Sequence, residues 1–157
     1  MAFKVNVTLR DDIVENYLCS AFEGGSNYWI DHIEVLPAEG FEKAKFAGYR
    51  DEEDNPRKVK DWYPQLENTD DLEELAEKKL YVYSQQLPFL GGAVKVVESE
   101  GYCHDPKLLN AENLQTGLQL MHDKHNRHFT DLIEERGDSI TGDVLLQLAI
   151  FGVVIYG

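Results

Sequence analysis

The residues best suited to chemistry in this chain are the run Glu23-Gly24-Gly25-Ser26-Asn27-Tyr28-Trp29 and three polar side chains in apolar surroundings nearer the C-terminus. The paired glycines permit positive φ values that residues with a Cβ avoid. After them come two short polar side chains and two large aromatic ones with hydrogen-bonding tips. Such a corner either turns the chain or holds a planar ligand. The three later residues are Asp131, which follows Phe129, Asp143 beside Thr141, and Gln147 alone in an apolar run. Buried polar groups need partners. These three can satisfy one another and the Ser26-Asn27 turn, or they can form the polar walls of a pocket floored by Tyr28 and Trp29. The candidate ligand-binding set is therefore Glu23, Ser26, Asn27, Tyr28, Trp29, Asp131, Asp143 and Gln147.

A weaker candidate is a metal site at His122, His125 and His128, spaced H-x-x-H-x-x-H. Residues three apart on a helix are neighbours, so His122 and His125 can share an ion. His128 joins them only if the helix kinks near Asn126. The H-E-x-x-H pattern of zinc proteases is absent. The plainer expectation is that His125 and His128 serve helix ends and that His122 is exposed. Cys103-His104-Asp105 sets a thiol, an imidazole and a carboxylate in succession. Adjacent residues converge only where the backbone folds sharply, and no G-x-S-x-G accompanies them. No residue is assigned a catalytic role. Neither phosphate-cradling pattern, G-x-x-x-x-G-K-[ST] or G-x-G-x-x-G, occurs, and no cofactor is expected.

The elements that must position these residues follow from periodicity. Lys4 to Leu9 alternates and predicts a half-buried strand. Asp11 or Asp12 should cap a helix, with Asp12 and Glu15 as a capping box and Ile13, Tyr17, Leu18, Ala21 and Phe22 on one face. Gly24-Gly25 should stop it. Tyr28 to Leu36 predicts a second strand with Ile30, Ile33 and Val35 inward. Lys43 to Arg50 is a further candidate strand, residues 51–56 an acidic loop, and Trp62-Tyr63-Pro64 an aromatic clip. A long helix should start at Thr69, run through Leu72, Leu75, Leu80, Tyr83 and Leu87, meet Pro88 and close at Gly91-Gly92. A strand over 93–98 and a turn over 102–106 follow. From Asn110 the chain reads as helical, with breaks near Asn126 and Gly137 and a cap at Asp138 or Ser139. The last helix, from about Ile140 to Phe151, is apolar nearly all round, which suits a core or a subunit seam. The fold expected is α+β: a small, mainly antiparallel sheet, helices packed on one face, and an all-helical C-terminal third, in one domain over 1–157.

The 157 residues include 15 Lys and Arg against 29 Asp and Glu, a formal charge of −14. Duplex nucleic acid is therefore an unfavourable partner, since phosphate binding needs clustered cations. An anionic membrane surface is unfavourable for the same reason. The apolar C-terminal run falls short of the roughly 18 residues of a spanning segment. The opening Met1-Ala2-Phe3-Lys4 has no leader-like pattern. Two cysteines in a chain of this size suit reduced thiols. The plainer meaning of the acidity is a soluble, well-solvated protein; its functional meaning is a partner with a basic face or mimicry of nucleic acid.

Two blocks of this chain resemble small uncharacterised proteins of tailed phages and prophages. The first is Phe22 to Trp29. The second comprises Gly117 to Met121, His128-Phe129-Thr130-Asp131, Thr141 to Gly152, and Val154-Ile155-Tyr156-Gly157. The resemblance implies a phage or prophage origin and the cytoplasm of a bacterial host, and implies no reaction. The function expected is a non-enzymatic binding protein that inhibits a host or defence factor, through a basic protein face or a small nucleotide-like ligand. An assembly component that forms a homo-oligomer ranks second. A metal-dependent enzyme acting on nucleotides or nucleic acid ranks third.

Overall fold

The computed structural model describes residues 1–36, 83–99 and 106–157. Helix α1, Asp11–Ser20, buries Ile13, Val14, Tyr17 and Leu18 on one stripe. Its expected acidic cap and capping box do not form. Arg10 is the N-cap residue, and Asp12 turns back to pair with it at 3.1 Å. Both aspartates still occupy the first turn, where the positive end of the helix favours them. A π-turn over Ala21–Gly25 ends the helix and buries Ala21 and Phe22. Neither glycine uses a positive φ; Gly24 lies at φ 175°. The requirement at Gly25 is room, because a Cβ there would strike the Ser139 carbonyl.

The sheet is antiparallel in the order β1-β2-β3, from β1 Ile30–Leu36, β2 Ala93–Glu98 and β3 Lys107–Leu109. Ile33 pairs with Val96, Val35 with Val94, and Val94 with Leu109, so one face is aliphatic and joins the core. On the other face Glu34 stands opposite Lys95, their charges 3.8 Å apart. The register slips between Ile30 and His32, directly after Trp29. A short 3-10 helix, Ser84–Leu90, carries Pro88 and closes at Gly91 with φ 84°. Tyr83 before it is extended, so the helix expected from Thr69 does not run on through Leu87. The remainder of that helix, the candidate strand at 43–50, the acidic loop and the Trp62 clip lie outside the described residues. So do residues 101–105, including Cys103, His104 and Asp105.

The C-terminal third is helical as expected. Asn110 caps α2, Ala111–Lys124, by accepting from the Asn113 N–H at 2.9 Å. The chain breaks at His125 and continues as α3, Asn126–Ile133. Asp138 caps α4, Ser139–Phe151, with Oδ1 accepting from the Ile140 and Thr141 N–H groups. Every residue of α4 from Thr141 to Ala149 is buried. Helices α1 and α2 both press close on it. A Cβ on Gly142 would strike the Tyr17 carbonyl, and one on Gly117 would lie 2.7 Å from the Ala149 backbone. The apolar surface of α4 from Thr141 to Ala149 is thus consumed inside the chain. Tyr17 ties α1 to the turn after α3, donating to the Asp131 carbonyl at 3.3 Å and accepting from the Gly137 N–H at 2.9 Å.

The expected strand over Lys4–Leu9 is corrected. Residues 1–10 adopt no regular structure, and Phe3 and Val5 are 87% and 83% exposed. Alternation gives a segment a face to bury, but a strand also needs a neighbouring edge to complete its backbone hydrogen bonds. Among the described residues none is supplied.

Candidate functional site

The run Glu23–Trp29 does meet the last helices, and Asp143 is the meeting point. Its Oδ1 accepts from Ser26 Oγ at 2.6 Å and from Trp29 Nε1 at 2.7 Å. Its Oδ2 accepts from Tyr28 Oη at 2.7 Å and from Gln147 Nε2 at 3.0 Å. A carboxylate has about four acceptor positions. All four here are filled by this chain's own donors. Hydrogen bonds to an ionised group are the strong kind, which offsets the cost of burying the charge. Among the described residues no Lys or Arg pairs with it.

Gln147 is equally complete. It sits one turn beyond Asp143 on α4, so the two side chains share a face. Nε2 also donates to the Tyr156 carbonyl at 3.1 Å, and Oε1 accepts from the Ile155 and Tyr156 N–H groups, each at 2.8 Å. The carboxamide thereby holds the last residues as a neighbouring strand would. Tyr156 then stacks on Trp29, centroids 5.1 Å apart and planes 4° from parallel, and its hydroxyl donates to Glu98 Oε1 at 2.6 Å. Phe151 tilts against both rings. The signal for Tyr156 was present in the sequence only as an aromatic near an apolar end, and its pairing with Gln147 was not legible there.

The arrangement is a sealed clamp. Ser26 and Gln147 have no solvent exposure, Trp29 has 2% and Asp143 has 5%. Trp29 therefore does not floor an open pocket; it is core. Tyr28 is the partial exception, with an exposed ring and an inward hydroxyl. Burial of that hydroxyl, then its hydrogen bond and proximity to the Asp143 carboxylate, push the phenol up to about 12.

Three of the candidate residues stand outside the clamp. Asn27 is exposed, and among the described residues its side chain makes no hydrogen bond. Glu23 is exposed beside Cys19, whose thiol is pushed up by burial and then by the Glu23 charge. Asp131 serves through its backbone: its carbonyl accepts from Arg136 N, Gly137 N and Tyr17 Oη. Its carboxylate lines a separate cavity of about 280 Å³ with Arg127, His128, Arg136 and Thr141. Asp138 shares that wall, and Arg136 is paired with Glu134, so the cavity has no clear excess of positive charge.

The three histidines do not gather, although the helix breaks at His125. His122 Nδ1 lies 2.8 Å from Asp123 Oδ1 and its ring meets Phe129 edge-on. That contact holds the Asp123 carboxyl below its usual range. His128 Nδ1 lies 3.4 Å from Thr141 Oγ1, and His125 is the residue of the break. Among the described residues no group of three His, Cys, Asp or Glu could hold a metal ion.

The opening large enough for a ligand lies elsewhere. A groove of about 700 Å³ runs between residues 5–9 and one face of α2, with Val14, Phe89 and Phe129 in its walls. Helix α2 offers it two adjoining stripes: Ala111, Leu114 and Leu118, then Gln115, Gln119 and His122. Among the described residues Asp11 is the one carboxylate on the wall, and no Lys or Arg lines it. The sequence carried a hint in the polar i, i+4, i+7 spacing of Gln115, Gln119 and His122. No helix among the described residues is long and apolar enough to cross a membrane. No protein-family model, no curated protein and no solved structure matches this chain.

Proposed function

We propose that this chain is a non-enzymatic binding protein of phage or prophage origin, which inhibits a host or defence factor by occupying part of its surface. The observation that carries this reading is the division of labour between two places. The richest polar constellation is spent internally on Asp143, whose acceptor positions are full. A ligand-sized opening lies elsewhere, with aliphatic and aromatic side chains in its walls beside polar ones that include two carboxamides. Its volume falls within the usual range for binding sites, roughly 300–1,000 Å³. Among the described residues the wall carries no Lys or Arg, so these residues offer a nucleotide's phosphates no countercharge. This favours a protein partner over a nucleotide-like one. The formal charge of −14 favours a basic partner, attracted in a salt-sensitive way.

The test compares the chain with its Leu118→Trp variant, which fills the groove from a half-buried position. Both are mixed with bacterial host lysate, and their thermal midpoints are measured with the captured partner added back. A partner that raises the midpoint of the parent but not of the variant supports the reading. A partner bound equally by both moves the site away from the groove. No partner and no shift for either removes the reading.

A further inference from the structure

We propose that the groove takes an extended, basic segment of the partner protein, adding it as a strand along residues 5–9. The inference rests on the binding-protein reading above and specifies its ligand. Residues 5–9 form one wall of the groove, and among the described residues no backbone hydrogen bond engages them. The segment has no regular structure, and its N–H and C=O groups stand open to pairing with an added chain, the feature that strand addition uses. The opposite wall fits the same ligand. Gln115 and Gln119 lie four residues apart on α2, a rise of about 6 Å. Alternate peptide units of an extended chain repeat at about 6.6 Å. A carboxamide presents one acceptor and two donors, the complement of a peptide unit. Gln119 gives one N–H to Asp123 at 3.0 Å and keeps the other and its oxygen. Leu114, Leu118 and Phe89 supply apolar contacts for side chains on one face of such a strand.

Charge selects the segment. Among the described residues Asp11 is the one carboxylate on the wall, and no Lys or Arg joins it. Of the nearest basic residues in sequence, Arg10 is already paired with Asp12, and Lys4 is not on the wall. An acidic segment would enter against both Asp11 and the charge of the whole chain. A basic one gains from both.

The probe is a capped heptapeptide alternating valine and threonine, with lysine at each end. Two companions carry glutamate at the ends, or N-methyl groups on alternate backbone nitrogens. Binding is followed by amide and carboxamide NMR shifts of the labelled full chain. The lysine peptide should shift the backbone amides of residues 5–9 and the side-chain NH2 signals of Gln115 and Gln119. The glutamate and N-methylated peptides should each bind about tenfold more weakly or worse. A Gln115→Ala/Gln119→Ala double variant should weaken the lysine peptide about fivefold. No groove shift with the lysine peptide overturns the inference. Equal binding of the N-methylated or glutamate peptide also overturns it. The Leu118→Trp comparison with host partner stands apart from both, so strand addition can fail while the groove remains the binding surface.

Discussion

Trp29 Nε1 and Asp143 Oδ1 lie 2.7 Å apart across 114 residues of chain, one 2% exposed and the other 5%. That bond fixes the corner after α1 against the middle of α4. It also decides what the most chemically promising residues do. A carboxylate with Ser26, Trp29, Tyr28 and Gln147 all donating to it has no lone pair left for a ligand.

The clamp should be intolerant of a change that preserves shape. In Asp143→Asn one acceptor becomes an NH2. Whichever way the amide turns, that NH2 faces a poor partner: on one side the Trp29 indole, which can only donate, and on the other the Gln147 carboxamide, which can present its oxygen only by giving up its bonds to Ile155 and Tyr156. The Ser26 and Tyr28 hydroxyls can adjust freely. We expect a loss of about 3 kcal/mol, read from the urea midpoint at unchanged slope. A loss under about 1 kcal/mol would mean that the bonds to Asp143 contribute little.

Gln147→Met should release the C-terminal residues more than it weakens the fold. Both carboxamide donors and the acceptor for Ile155 and Tyr156 disappear, while the volume stays similar. Hydrogen exchange at those two amides should accelerate about tenfold beyond the change at Leu148, the mark of a local opening. Equal acceleration at all three positions would show that the tail is held by other contacts.

Tyr28 gives an alkaline signature. Its folded value is raised from 10.0 to about 12. The protonated form is therefore favoured by folding. The associated stability is fully present below pH 10 and fades as the pH rises from 10 towards 12. Tyrosinate absorbance should show one phenol titrating late, and Tyr28→Phe should remove that late phase and flatten the alkaline loss of stability. Burial is the larger cause, so Asp143→Asn should lower the late phase only part of the way. A Tyr28 that titrates with the exposed tyrosines would contradict the inward hydroxyl.

The close helix contacts make a fourth test. Gly117→Ala puts a Cβ 2.7 Å from the Ala149 backbone, where neither helix has a flexible end to move. It should cost about 1–3 kcal/mol from overpacking. Gly152 has open space around it but φ 74°, so Gly152→Ala should cost about 1–2 kcal/mol from the backbone conformation alone. Gly152→Asn should recover much of that loss, because Asn tolerates the left-handed region. No side chain should rescue Gly117. Thermal and urea unfolding of the four proteins separate the two causes.

What the sequence could determine by itself is local. The stripe of α1, the helical start at Asn110, the Asp138 cap, the closing Gly91, the valines of β2 and the apolar run of α4 each depend on partners a few residues away, and each is present. The α+β class follows from their order. The sequence also singled out Asp131, Asp143 and Gln147 as polar groups in need of partners, with the Ser26-Asn27 turn to satisfy them and Tyr28 and Trp29 beside them; Asp143 and Gln147 do join Ser26, Tyr28 and Trp29, whereas Asn27 and the Asp131 side chain stand apart. Which of them pair could not be read, because hydrogen bonds across 114 to 117 residues depend on which helix crosses which and at what height. Tertiary packing alone decided that these groups satisfy one another and leave the open space elsewhere. It also decided the fate of residues 4–9: their alternation promised a strand, but strand formation needs a second backbone, and among the described residues the fold offers none.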